Sequence, residues 1–184
     1  NFMDGINGLA VTQALLAALA YAALMPGTVG LPWLAWGLCA ACVGFLPFNF
    51  PRARIFLGDV GSGVLGYSLA ALAVASIAAS PVESAPLALL PLCAFLVDAG
   101  FTLAWRMLRR ERWWTPHVSH VYQKAARRWG HTAVTVIYLV FGSVTLLLTF
   151  TLPTMTLGTT SAVVAAIYVV AGAVWALLRW GWRG

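Results

Sequence analysis

Six long apolar runs divide the chain, at residues 9–25, 31–48, 63–80, 87–108, 133–152 and 161–178. Each is near the ~17 to 25 residues that a helix needs to cross the hydrocarbon core of a bilayer. The pattern predicts an all-α protein, a polytopic membrane helix bundle with six transmembrane helices in a single membrane domain over 1–184. The third run, rich in Ala and Ser, carries the weakest signal of the six. The first two are parted only by a short turn around Met25-Pro26-Gly27.

Composition strengthens this reading and charge orients it. Hydrophobic residues make up 61% of the chain and charged residues 9%, against roughly a quarter charged in a soluble globular domain. Every Lys and Arg falls within 52–54, 106–128 or 179–183, and the connections 26–31, 81–86 and 153–160 contain none. With six alternating spans the three basic places share one face, which the positive-inside rule assigns to the cytoplasm. The net charge of +6 therefore needs no nucleic acid to explain it, while the basic loops can meet membrane lipid headgroups or a phosphorylated substrate. No initiator Met or signal peptide opens the sequence, so the expectation is the carboxy-terminal part of a larger protein. Cys39 and Cys42 have C-x-x-C spacing but lie in a span with no second pair, and Cys93 is also intramembrane; all three read as buried small apolar residues.

Chemistry is confined to three polar motifs: Asn1-x-x-Asp4-Gly5-Ile6-Asn7-Gly8-Leu9, the segment 49–63, and Pro116-His117-x-x-His120-x-Tyr122-Gln123. Two spans separate each from the next, so all three return to the same membrane surface. In the second, Asp59 sits in a loop among small residues that admit a ligand to the backbone. Ser62 is placed there to cap a following helix whose positive end faces phosphate. Simpler roles stay open: Asn1 and Asp4 as a helix cap, the glycines as packing positions, and His117 and His120 as loop anchors. His131, the Trp113-Trp114 pair and the Trp180/Trp182 tail read as interfacial residues. Asp98 lies inside a span, where a charge facing lipid costs at least ~2.5 kcal/mol. It either hydrogen-bonds neighbouring helices or sits below a metal site.

Taken together, Asn1-x-x-Asp4-Gly5-Ile6-x-Gly8-Leu9, then Asn49-x-Pro51-x-Ala53-x-x-Phe56-x-Gly58-Asp59-x-Gly61-Ser62, then an H-x-x-H loop, resemble the polyprenyl-phosphate N-acetylhexosamine-1-phosphate transferases. This is the MraY and WecA superfamily of glycosyltransferase family 4. Ser119-His120-x-Tyr122-Gln123 and Ala126-Arg127-Arg128-x-Gly130 most resemble its WbpL-like, O-antigen-initiating branch. The resemblance implies transfer of a sugar 1-phosphate from a UDP-N-acetylhexosamine to undecaprenyl phosphate, with release of UMP, at the cytoplasmic face of a bacterial inner membrane. It implies Mg2+ (or Mn2+) held by Asp59, and Asp4, Asp59, His117 and His120 as catalytic residues. Asn1, Gly5, Ile6, Asn7 and Asn49 are expected on the nucleotide side, with Phe56 stacked on uracil and Arg52 and Arg54 clamping phosphate oxygens. The family's upstream aspartate pair must precede Asn1, so 1–184 alone is expected to be inactive. Asn7 stands where relatives often carry Asp. Alternatives are the phospho-MurNAc-pentapeptide transferase of peptidoglycan synthesis, a non-catalytic lipid-carrier transporter, and a membrane scaffold. A transporter would more typically show broken helices or internal repeats, and a scaffold does not need Asp4, Asp59 and His120 on one face. Which sugar is carried, direct attack versus a covalent intermediate, and a homodimer all stay open.

Overall fold

A computed structural model describes residues 3–25, 30–112, 114–115, 120–153 and 155–182. The expected helix bundle is present. Its helices are α1 (Leu9–Leu24), α2 (Leu31–Asn49), α3 (Gly58–Ala79), α4 (Cys93–Leu108), α5 (Val121–Trp129), α6 (His131–Thr151) and α7 (Leu157–Gly181), and a 3-10 helix over Ala85–Leu92 runs straight into α4. The described residues form no strand. Five helical stretches are long and apolar enough to cross a membrane, counting Ala85–Leu108 as one, and α1 is a shorter apolar helix of 16 residues.

The short helix occupies the middle. At 1.5 Å per residue α1 is roughly 24 Å long, less than the ~30 Å hydrocarbon core. It packs against α2, α3, α6 and the 3-10 segment, and Ala14, Ala17, Ala18, Ala20 and Tyr21 are fully buried. Small residues let the neighbours approach closely, so α1 is shielded by protein and does not need full bilayer length. The outer helices invert the pattern of a soluble protein. Their large apolar side chains, such as Val60, Tyr67, Val140 and Val169, face outwards, while Thr135, Thr145 and Thr149 of α6 are buried.

Three features depart from the sequence pattern. The third span begins at Gly58 rather than residue 63, which puts Asp59 in the first turn of α3. Ser62 therefore lies inside the helix and does not cap it; its hydroxyl donates back to the Gly58 carbonyl at 2.6 Å. The fourth span has two parts, because Pro91 has no N–H to donate. In a 3-10 pattern the acceptor three residues earlier is Ala88, and its orphaned carbonyl accepts instead from the Tyr21 hydroxyl at 3.0 Å. Tyr168 donates to the next carbonyl, Leu89, at 2.7 Å. Lastly, α5 is a helix of 9 residues within what the charge pattern reads as a basic loop. It is amphipathic: Val121, Tyr122, Ala125 and Ala126 are buried, whereas Arg127 and Arg128 are exposed.

Candidate functional site

The turn at residues 3–8 is the hub of one end of the bundle. Met3 and Ile6 drive their side chains into an apolar cluster with Leu9, Tyr122, Ala125, Ala126 and Val134, which fixes the turn between α1, α5 and α6. Gly8 closes it with φ of 75°, a backbone conformation that costs an L residue ~1 to 2 kcal/mol. A Cβ at Gly8 would also stand 2.7 Å from the Phe50 ring, so the residue must be small for the second motif to approach.

The first and second motifs are tied at three points. The Gly58 amide donates to Asp4 Oδ2 at 3.0 Å, the Gly8 amide to Asn49 Oδ1 at 2.9 Å, and Asn7 Nδ2 to the Pro51 carbonyl at 3.0 Å. Asn49 also donates to the Ile55 carbonyl at 2.8 Å. Burial pushes the Asp4 carboxyl above its usual range, and the backbone N–H groups of Gly58 and Leu57 offset part of that rise. Asp59 follows Gly58 directly and is exposed at the amino-terminal end of α3, where the helix dipole favours negative charge. Phe56 is half exposed, and Arg52 and Arg54 lie exposed on the same loop.

The third motif arrives through α5. A Cβ on Gly5 would fall 2.7 Å from the Tyr122 hydroxyl, so that ring sits directly against the first motif. His120, just before α5, is buried and stacks on Tyr122 with ring centroids 5.8 Å apart. Its Nδ1 lies 3.8 Å from Asp98 Oδ2. Desolvation lowers the His120 pKa, Asp98 opposes that, and Arg179 and Arg106 add to it; the net direction favours the neutral imidazole.

The structure thus brings Asp4, Gly5, Asn7, Asn49, Arg52, Arg54, Phe56, Asp59 and His120 to one end of the bundle. It also refines several expectations. The Ile6 side chain packs in the core, leaving only its backbone available to a ligand. Asn49, 1% exposed, has its amide committed to joining two loops rather than presented to a nucleotide. His120 is turned inwards, away from the open face. Asn1 and His117 lie outside the described residues.

Two residues join the site unexpectedly. His131, read as interfacial, has Nδ1 3.0 Å from Asn7 Oδ1, and Thr135 donates to the Asn7 carbonyl at 2.6 Å. The signal in sequence is their spacing, residues 131 and 135 lying one turn apart on one face of α6. The basic segments gather at this end as well: Arg179 lies over the Trp105 ring at 5.5 Å, and Asn7 reaches the loop of Arg52 and Arg54 through Pro51.

No three His, Cys, Asp or Glu side chains cluster as a metal cage among the described residues. The available acids are Asp4, bound to the Gly58 amide, and Asp59 beside it in sequence. One or two carboxylates completed by substrate phosphates is the donor set that Mg2+ takes. These residues fit such an ion and do not fit one held by protein ligands alone.

Residues 1–77 match the model of a family described as Glycosyl transferase family 4. A phospho-N-acetylmuramoyl-pentapeptide-transferase from Moorella thermoacetica is 45% identical over 74 residues, covering 39% of this chain and 23% of the relative. A probable undecaprenyl-phosphate N-acetylglucosaminyl 1-phosphate transferase from Bacillus subtilis is 31% identical over 145 residues, covering 76% of this chain and 40% of the relative. A decaprenyl-phosphate N-acetylglucosaminephosphotransferase from Mycobacterium tuberculosis is 43% identical over 81 residues, or 39% of this chain and 20% of the relative. The chain spans well under half the length of these curated relatives. No solved structure gives a significant match.

Proposed function

By its residues 1–77 the chain belongs to glycosyl transferase family 4, and from that premise we propose that the full-length protein moves a sugar 1-phosphate from a UDP-N-acetylhexosamine to undecaprenyl phosphate. The observation that carries this reading is the tie between the Asp4 turn and the Gly58-Asp59 corner, where the carboxylate of Asp4 accepts the Gly58 amide at the helix amino terminus that bears Asp59. In the reaction an oxygen of the lipid phosphate bonds to the sugar-bearing phosphorus, the bond from that phosphorus to the bridging oxygen breaks, and UMP leaves. Both reactants are anions, so catalysis is mostly placement and charge neutralisation.

Each residue has a part in that placement. Phe56, half exposed, offers a face for uracil. Arg52 and Arg54 pair with phosphate oxygens. The Asn49 and Asn7 amides hold the two loops in register, leaving Gly5 and the Ile6 backbone to line the nucleotide side together with Asn1. Mg2+ (or Mn2+) would be held by Asp59 with Asp4 alongside, and supplies neutralisation of diphosphate charge when bound. His117 completes the histidine motif on the diphosphate side, and His120, kept neutral by its burial, can accept a proton.

The finer reading is an O-antigen-initiating enzyme of the WbpL-like kind, at the cytoplasmic face of a bacterial inner membrane. A second reading, phospho-MurNAc-pentapeptide transfer, is favoured by the 45% identity over 74 residues to a relative of that name. Purified full-length protein with Mg2+ should exchange radiolabelled UMP into a UDP-sugar in the presence of undecaprenyl phosphate. A donor panel containing UDP-GlcNAc, other UDP-N-acetylhexosamines and UDP-MurNAc-pentapeptide then separates the two readings. Folded protein that exchanges none of these donors would refute both.

A further inference from the structure

Whereas Asp59 stands at the end of a span, Asp98 lies in the middle of one and is 2% exposed. Roughly 15 Å of helix separates it from the end of α4 at 1.5 Å per residue, yet the chain folds back far enough to meet it. Asp98 Oδ1 accepts the Val121 amide at 3.0 Å, the Trp175 indole N–H at 3.1 Å and the Thr102 hydroxyl at 3.3 Å. Oδ2 accepts the Tyr122 amide at 3.4 Å and faces His120 Nδ1 at 3.8 Å. The Val121 and Tyr122 amides are orphan donors at the start of α5, so a carboxylate from α4 adds to the capping box that His120 and Gln123 form there, in which the His120 amide donates to Gln123 Oε1 at 3.3 Å. Beside this group lies an apolar cavity of about 220 Å³, lined among others by Val97, Tyr138, Phe141 and Trp175. Such surroundings offer the carboxylate little besides these donors, and polar groups buried in them are stable only when hydrogen-bonded.

We propose that Asp98 is a positioning residue of the transferase site: its carboxylate anchors the first turn of α5, and so sets where His120 stands and where the Tyr122 hydroxyl meets Gly5. This rests on the transferase reading above. It explains why an acid is kept at membrane depth when a neutral residue would cost less to bury. Among the described residues, Asp98 from α4 and the stacked Tyr122 from α5 stand against His120, and Arg106 from α4 and Arg179 from α7 act on it electrostatically. Tyr138 of α6 feels the same carboxylate. Among these Asp98 alone favours the charged imidazole, so its influence on His120 can be isolated by sign.

Two variants of the full-length protein in nanodiscs test this, with the wild type measured alongside. Asp98→Asn keeps the shape but turns an NH2 group towards one of the converging N–H donors. It should lower kcat by up to about 100-fold, as small misplacements in active sites do, and should move the His120 NMR titration and the matching limb of the pH–rate profile together to lower pH. Trp175→Phe removes one donor from the carboxylate, strengthens its pull on His120, and should move both curves to higher pH. Opposed shifts of this kind are not produced by a merely structural role. Should Asp98→Asn not fold, the upward shift in Trp175→Phe decides alone. An active wild type whose variants leave the pH–rate profile in place overturns the positioning role only, whereas a folded wild type that exchanges no UMP overturns the transferase reading and this proposal with it.

Discussion

Asp4 is ionised at a cost. Its folded-state pKa lies above the ordinary 3.8 chiefly through desolvation. Between those two values the native state holds more protons than the unfolded chain, so stability falls as pH rises through that window. The contribution is fully present below pH 3.8 and lost above the raised folded value. Asp4→Asn in the full-length protein should therefore lose transfer yet unfold at the same or a higher temperature than wild type at pH 7, with the difference disappearing near pH 4. A lower melting temperature at pH 7 would show the carboxylate to be a structural cap. Asp59→Asn should abolish transfer with little change in melting temperature, since the amide keeps the shape and loses the charge. Full activity in that variant rejects Asp59 as the metal ligand. Phe56→Ala should raise KM for the UDP-sugar several-fold more than KM for the lipid, by loss of stacking worth about 0.5 to 1.5 kcal/mol; equal rises exclude stacking.

At the level of elements, two helices depend on groups borrowed from elsewhere. The 3-10 segment exists because Pro91 removes a donor, and Tyr21 in the central helix satisfies the carbonyl left over. Tyr21→Phe leaves that buried carbonyl without its donor and should destabilise the fold by about 1 to 3 kcal/mol, read as a lowered melting temperature in detergent. An unchanged melting temperature would mean that the 3-10 geometry stands without the tyrosine. The α5 helix borrows in the same way from Asp98. Its hydropathy is that of a basic loop, and a helix of 9 residues is too short to be stable in water alone. Its apolar face is buried only by tertiary neighbours, the turn at residues 3–8 and the start of α1 together with α4, α6 and α7.

For the whole molecule, the ties among the three motifs also gather the basic residues at one end, while Glu83 marks a connection at the other. Because Cys39, Cys42 and Cys93 are buried, single cysteines placed at exposed sites can report sidedness with a membrane-impermeant maleimide. Arg54→Cys and Arg127→Cys should label together in inverted membrane vesicles and Glu83→Cys only in right-side-out ones. Labelling of positions 54 and 127 from opposite sides would break the single-face arrangement on which the proposed site depends.

Long apolar runs needed no tertiary information to be read as membrane helices, since lipid rewards apolarity at every angle around a helix. The same holds for the convergence of the motifs: an even number of crossings returns the chain to the side it left. Asp4 and Asp59 could thus be paired from the order of spans alone. What each polar side chain does once there was decided only by the folded contacts. Asn49 and Ile6 sit in the polar motifs yet serve to hold loops, His131 joins the candidate site through Asn7, and Asp98 caps a helix 23 residues away in sequence. Hydrogen bonds between distant segments leave no periodic trace in a chain, because their geometry is set by which helices pack together and not by what lies nearby.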